Sequence, residues 1–84
     1  MIWKIKILRG AIKQLEKLPP VDYKAVKRKI LNLANNPRPQ GYEKLKGRDG
    51  YRVRQGKYRI LYTIENDILT IVVLRISHRK DAYR

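Results

Sequence analysis

Apolar residues in this chain follow two rhythms, a period of two at the start and through the second half and a helical spacing in between. Residues 1–8 carry Ile2, Ile5 and Ile7 around Trp3, Lys4 and Lys6, which predicts an N-terminal strand ended by Gly10. Over residues 11–18, Ile12, Leu15 and Leu18 share one side of a short helix that Pro19-Pro20 stops. A second helix begins at those prolines. Asp22 complements its positive N-terminus, and Tyr23, Val26, Ile30, Leu33 and Ala34 recur at helical spacing as far as Asn35-Asn36-Pro37. Residues 38–49, with Pro39, Gly41 and Gly47, read as a connector. Three β-rich segments follow at 51–54, 58–64 and 68–76, separated by turn residues. The predicted fold is α+β: an N-terminal strand and a helical hairpin packed on a mainly antiparallel four-stranded sheet, in the order β-α-α-β-β-β. A short C-terminal tail or helical turn closes one domain spanning residues 1–84.

Turn chemistry then sets the register. A two-residue Gly56-Lys57 turn, with Gly in the first central position, puts Arg54 opposite Arg59 and Arg52 opposite Leu61. Alternation sends Arg52, Arg54 and Arg59 to one face and Tyr51, Val53, Ile60, Tyr62 and Ile64 to the other, where the helical hairpin docks. Asn66-Asp67 suits a second tight turn that brings Leu69, Ile71 and Val73 to the same buried face. Leu61, Val72 and Leu74 leave the other face partly apolar, so the guanidinium groups are expected at the mouth of a shallow concavity, pointing away from the core.

Charge narrows the partner. The 84 residues hold 21 Lys and Arg against 7 Asp and Glu, a net +14, which calls for a polyanion, and nucleic acid fits better than an anionic membrane because the charge is not confined to one amphipathic helix. Lys24, Lys27 and Arg28, on the polar face of the second helix, are a solvated face or an RNA contact, and Lys57 and Lys80 extend the basic surface around the hairpin and tail. Without cysteine there is no disulfide, thiolate nucleophile or thiolate metal site. With no apolar signal region or membrane-length stretch, the expected location is the cytoplasm.

Two arginines directly opposite on a strand pair repel, and in this register no acidic residue lies near them on their face. Such an arrangement asks for an anion. Arg52, Arg54 and Arg59 present rigid forks that fit a phosphodiester and can stabilise the charge that develops as it is attacked. The tail holds the single His, His78, with Arg79 and Tyr83 close behind, the residue types needed for proton transfer and phosphate binding. One His and seven scattered carboxylates make no two-metal phosphodiesterase site, and no cofactor is called for. RNA permits chemistry without a metal, because its 2′-hydroxyl is an internal nucleophile that the protein need only align.

The segment Gly50-Tyr51-Arg52-Val53-Arg54-Gln55-Gly56-Lys57-Tyr58-Arg59-Ile60-Leu61-Tyr62 resembles the central hairpin of RelE/ParE toxins. Ile76-Ser77-His78-Arg79-Lys80-Asp81-Ala82-Tyr83-Arg84 is similar to the closing segment of the RelE branch, and Leu45-Lys46-Gly47 before the hairpin extends the likeness over nearly the whole chain. This resemblance implies a bacterial or archaeal type II toxin, neutralised by a co-expressed antitoxin, that cleaves mRNA on the ribosome beside the 16S rRNA of the A site. It implies phosphate contact and proton transfer for Arg52 and Arg54, transition-state stabilisation for Arg59, phosphate binding or nucleotide orientation for Arg79, and base stacking with a part in proton transfer for Tyr83. Arginine in place of the family's lysine at 52 and 54 is a departure. Because arginine stays protonated, proton transfer then passes to His78. Two rivals share the fold: a ParE-like inhibitor of DNA gyrase, against which Arg59, Arg79 and Tyr83 together argue, and a ribosomal RNA binder that does not cleave.

Overall fold

A computed structural model of the protein describes residues 3–47 and 49–78. In chain order the elements are strand β1 (Lys4–Ile7), helices α1 (Arg9–Glu16) and α2 (Pro20–Asn32), and strands β2 (Glu43–Lys44), β3 (Tyr51–Gln55), β4 (Tyr58–Glu65) and β5 (Thr70–His78). They form a five-stranded sheet in the order β1-β5-β4-β3-β2, with β1 parallel to β5 and the other pairs antiparallel. The class is the predicted one, but the strand count is five, because two connector residues, Glu43 and Lys44, pair with Arg52 and Tyr51. A two-residue strand has no periodicity to betray it.

Both helices lie on one face of the sheet. Ala11 and Leu15 of α1, Val26 and Ile30 of α2 and Leu33 just after it pack with Val53, Ile60, Tyr62, Ile71, Val73 and Ile76 from the strands, while Ile12, expected inside, is exposed. Pro20 and Asp22 occupy the first turn of α2 as anticipated, and β1 ends before Gly10 as expected, but Gly10 already lies inside the first turn of α1, which starts at Arg9. Past the last β1–β5 pair, the Ile76 amide donates to Gln14 Oε1 at 2.7 Å, so α1 meets the sheet with a side chain where β1 has ended. The Tyr62 hydroxyl donates to the Pro37 carbonyl at 2.6 Å and fixes the segment after α2 to the sheet.

The β3–β4 hairpin has the predicted register: Arg54 faces Arg59, and Arg52 faces Leu61. Gly56 has φ 59° and Lys57 has no positive φ, which is the backbone of a turn whose first central residue must be Gly. Gly50, at φ 137°, introduces the hairpin in a conformation that favours glycine; a Cβ there would stand 2.9 Å from Leu45 Cδ1 and push that side-chain end aside.

Two expectations fail between β4 and β5. Asn66–Ile68 form a 3-10 turn, after which Leu69 adopts a left-handed conformation (φ 48°) and stays 38% exposed instead of joining Ile71 and Val73 in the core. Further on, Tyr62 pairs with Val73 but Leu61 pairs with Arg75, so Leu74 is an extra residue, a β-bulge. Before the bulge the odd-numbered Ile71 and Val73 face the helices; after it the even-numbered Ile76 and His78 do.

Candidate nucleic-acid interface

The face of the sheet away from the helices carries the charge. Across β3, β4 and β5 the register aligns Arg54, Arg59 and Ser77 in one row and Arg52, Leu61 and Arg75 in the next. Neighbouring strands lie about 4.8 Å apart and the rows about 6.7 Å apart, so guanidinium groups from both rows reach a common patch. The uninterrupted run Ile71-Val72-Val73-Leu74 hides the bulge, and uniform alternation would have turned Arg75 toward the helices. Arg75 is exposed on the arginine face and was missed for that reason.

Electrostatics confirm the clustering and correct the notion that no acid is near. Arg52 Nη2 lies 3.0 Å from Glu43 Oε2, the one salt bridge among the described residues, contributed by the unexpected strand β2. The hydrogen bond and charge of Arg52 hold the Glu43 carboxyl below its ordinary value, and the charges of Arg54 and Arg59 push the same way. Three arginines thus act on one carboxylate.

Arg59 departs from its expected environment. It belongs to the open face by register, yet it is only 6% exposed, and it has interactions of its own within the protein. Arg54, Lys57 and Arg59 line a shallow depression at the hairpin turn, together with Gly56 and Tyr58. His78 pairs with Tyr58 and so comes up on the helix side, its ring edge-on to that of Tyr58 with centroids 5.5 Å apart. The Tyr58 hydroxyl donates to Asp22 Oδ2 at 3.0 Å, and burial followed by this bond raises its pKa. Tyr58 therefore meets both, lining the arginine depression and packing its ring against His78.

Lys24, Lys27 and Arg28 are exposed on α2, in the layer that covers the opposite face of the sheet, with Lys27 Nζ 5.5 Å from the Tyr23 ring centroid. The structure does not bring them to the arginines. Arg79, Lys80 and Tyr83 lie outside the described residues. Among the described residues no group of His, Cys, Asp or Glu is arranged to hold a metal ion, and no helix is long and apolar enough to cross a membrane.

Comparison with known proteins agrees with this fold. Residues 5–83 match the family model described as the ParE toxin of the type II toxin-antitoxin system parDE. RelE1 of Methanocaldococcus jannaschii is 38% identical over 100% of this chain and 98% of its own length, and toxin RelG of Mycobacterium tuberculosis is 34% identical over 100% and 99%. Among solved structures, the RelBE2 toxin-antitoxin complex of M. tuberculosis matches with a TM-score of 0.84 at 29% identity, covering 94% of this chain and 100% of the matched one. The archaeal RelE-RelB complex of Pyrococcus horikoshii matches with a TM-score of 0.83 at 29% identity, covering 94% and 97%. The chain belongs to the RelE/ParE family of toxins of type II toxin-antitoxin systems.

Proposed function

We propose that this toxin is a metal-independent endoribonuclease that cleaves mRNA in the ribosomal A site. The observation that carries the reading is the row Arg54–Arg59, two cations held opposite each other on one sheet face with Arg59 almost fully buried. Opposed cations repel, and a preorganised, desolvated guanidinium is the form of charge most useful to a developing phosphorane. In the proposed reaction the 2′-oxygen bonds to phosphorus as the bond to the 5′-oxygen breaks. The 2′-hydroxyl loses its proton to a base and the leaving 5′-oxygen gains one, giving a 2′,3′-cyclic phosphate and a 5′-hydroxyl. Arg52 and Arg54 hold the non-bridging oxygens and Arg59 takes the added charge. Arginine does not carry protons, so by family resemblance proton transfer falls to Tyr83, with Arg79 binding phosphate or orienting the nucleotide. His78, expected to share that task, comes up beside Tyr58 on the helix side of the sheet and not on the face of the arginines.

Such a toxin needs a neutralising partner. A cognate antitoxin segment bearing acidic and apolar residues, laid over the arginine face or displacing the tail, would complement both the charge and Leu61; the solved relatives from M. tuberculosis and P. horikoshii are toxin-antitoxin complexes. The place of action is the cytoplasm. The decisive experiment is single-turnover cleavage of message on programmed ribosomes, run beside a gyrase supercoiling assay. Cut message with unaffected gyrase is the expected result. Inhibited gyrase with intact message would make the protein a ParE-type inhibitor, and blocked translation with intact message a non-cleaving ribosome binder. Affinity should also fall steeply with salt, with a log-log slope of about 0.7 per phosphate contacted.

A further inference from the structure

We infer that Arg75 forms a second phosphate subsite with Arg52, which bridges the two phosphates, and that this subsite receives the backbone phosphate of a nucleotide neighbouring the scissile one held by Arg52, Arg54 and Arg59. This rests on the reading of the arginine face as an RNA site. The bulge at Leu74 is what creates it: Ile76 must face the helices to fill the core, and the phase shift that achieves this turns Arg75 onto the open face, in line with Leu61 and Arg52. Bulges commonly re-aim a side chain in this way beside a functional site.

The geometry fits a polymer of anions. Arg52 and Arg75 flank Leu61 from the strands on either side, two strand spacings or about 9.6 Å apart, so both forks can close over one phosphate while the half-buried Leu61 gives an apolar floor to the sugar. The Arg54–Arg59 row lies two residues along the same strands, a step of about 6.7 Å, which is of the order of one nucleotide in an extended strand. Two cation rows at a fixed pitch suit a ligand whose charge repeats at a fixed pitch. An acidic peptide, with carboxylates on flexible side chains, has no need of that pitch. Arg52 is already paired with Glu43, which leaves exposed Arg75 as the stronger member of the subsite.

The test uses the full chain and ribosomes programmed with a message carrying a 2′-deoxy nucleotide at the cleavage position, so that binding is read without chemistry. Arg75→Ala should weaken binding about tenfold, as loss of one charge-assisted contact does, and lower the salt slope by about 0.7. Arg75→Lys should fall between the two proteins, and the melting temperature should stay unchanged. A neutral methylphosphonate at one of the two phosphates flanking the cleavage position should weaken the wild type similarly and add nothing to Arg75→Ala. Additive losses at both flanking positions would overturn the subsite. So would an equal loss on ribosomes without message, which points to ribosomal RNA, or weakened binding of the antitoxin alone, which points to a protein contact. A message with its 2′-hydroxyl restored separates the two readings: cleavage without coupling at a flanking phosphate removes only the subsite, and coupling without cleavage removes only the nuclease.

Discussion

The two faces of the sheet are written on the same strands by the same alternation, yet they answer to different demands. The covered face joins Val53, Ile60, Tyr62, Ile71, Val73 and Ile76 to five helical-layer residues in one apolar cluster, where each side chain gains from its neighbours. On the open face Arg54 opposes Arg59, and Arg52 and Arg75 flank Leu61, where the cations gain nothing from one another. Stability therefore resides on the covered face, and the opposed arginines lie on the open one. Arg59 is the exception that joins them, since it is aligned with the second set and buried like the first.

The largest effects should test this division directly. Ile71→Ala, at a fully buried position, should cost about 2–5 kcal/mol in chemical denaturation, with the RNA affinity of the folded protein left within about twofold. A matching loss of affinity at constant folded fraction would mean that the faces are not independent. Arg59→Ala should slow single-turnover cleavage by about a hundred- to a thousand-fold, which is roughly 3–4 kcal/mol. Relief of repulsion with Arg54 would predict equal or slightly raised stability, but burial at 6% exposure reverses that sign. A melting temperature below that of the wild type is now expected, because the truncation empties a packed site and strands its partners. Cleavage within about threefold of wild type in a folded variant would remove Arg59 from the site.

How much of this was legible in the sequence depends on whether alternation was visible. In the hairpin, polar and apolar residues alternate on both strands and Gly56 fixes the turn, so the arginine register could be read directly. In β5 the residues Ile71 to Leu74 are all apolar, and a phase shift inside such a run leaves no trace, so Arg75 and the placement of His78 beside Tyr58 were hidden. Glu43 was hidden because its strand is two residues long. The burial of Arg59 has no sequence signal, since it depends on what the rest of the chain lays over that position. Arg79 and Tyr83, which no periodicity marks, stood out in the tail by residue type, and the family likeness supplied their roles.

A smaller effect belongs to the covered face. Burial raises the Tyr62 phenol from its ordinary 10 to about 12, so its contribution is fully present below pH 10 and is lost as pH rises through about 12. Up to about 2–3 kcal/mol should disappear across that window, with Tyr58, also raised, adding to the same alkaline limb. Tyr62→Phe should cost about 0.5–1.5 kcal/mol near neutral pH through the lost bond to Pro37, and it should flatten the alkaline limb. A variant whose stability still falls as steeply between pH 10 and 12 would show that other groups carry that limb.

The smallest effect should come from Glu43, and it sharpens the account of the open face. Its carboxylate occupies Arg52, so an RNA phosphate must compete with it for the same fork. Glu43→Gln removes the competitor, adds one to the net charge and should raise affinity for programmed ribosomes by less than about threefold, with a salt slope steeper by at most about 0.7. Stability should barely change, since an exposed ion pair is screened and holds two flexible side chains in place. What remains should have a definite sign. Because Arg52 lowers the Glu43 pKa, the pair stabilises above the ordinary carboxylate range and loses that contribution as pH falls through the lowered value, so the variant should show a slightly flatter acid limb. Affinity measured across a salt series, with denaturation followed from neutral to acid pH, reads both effects. If affinity falls instead, Glu43 orients Arg52 for the phosphate, and the acid inside the basic face belongs to the site it was taken to oppose.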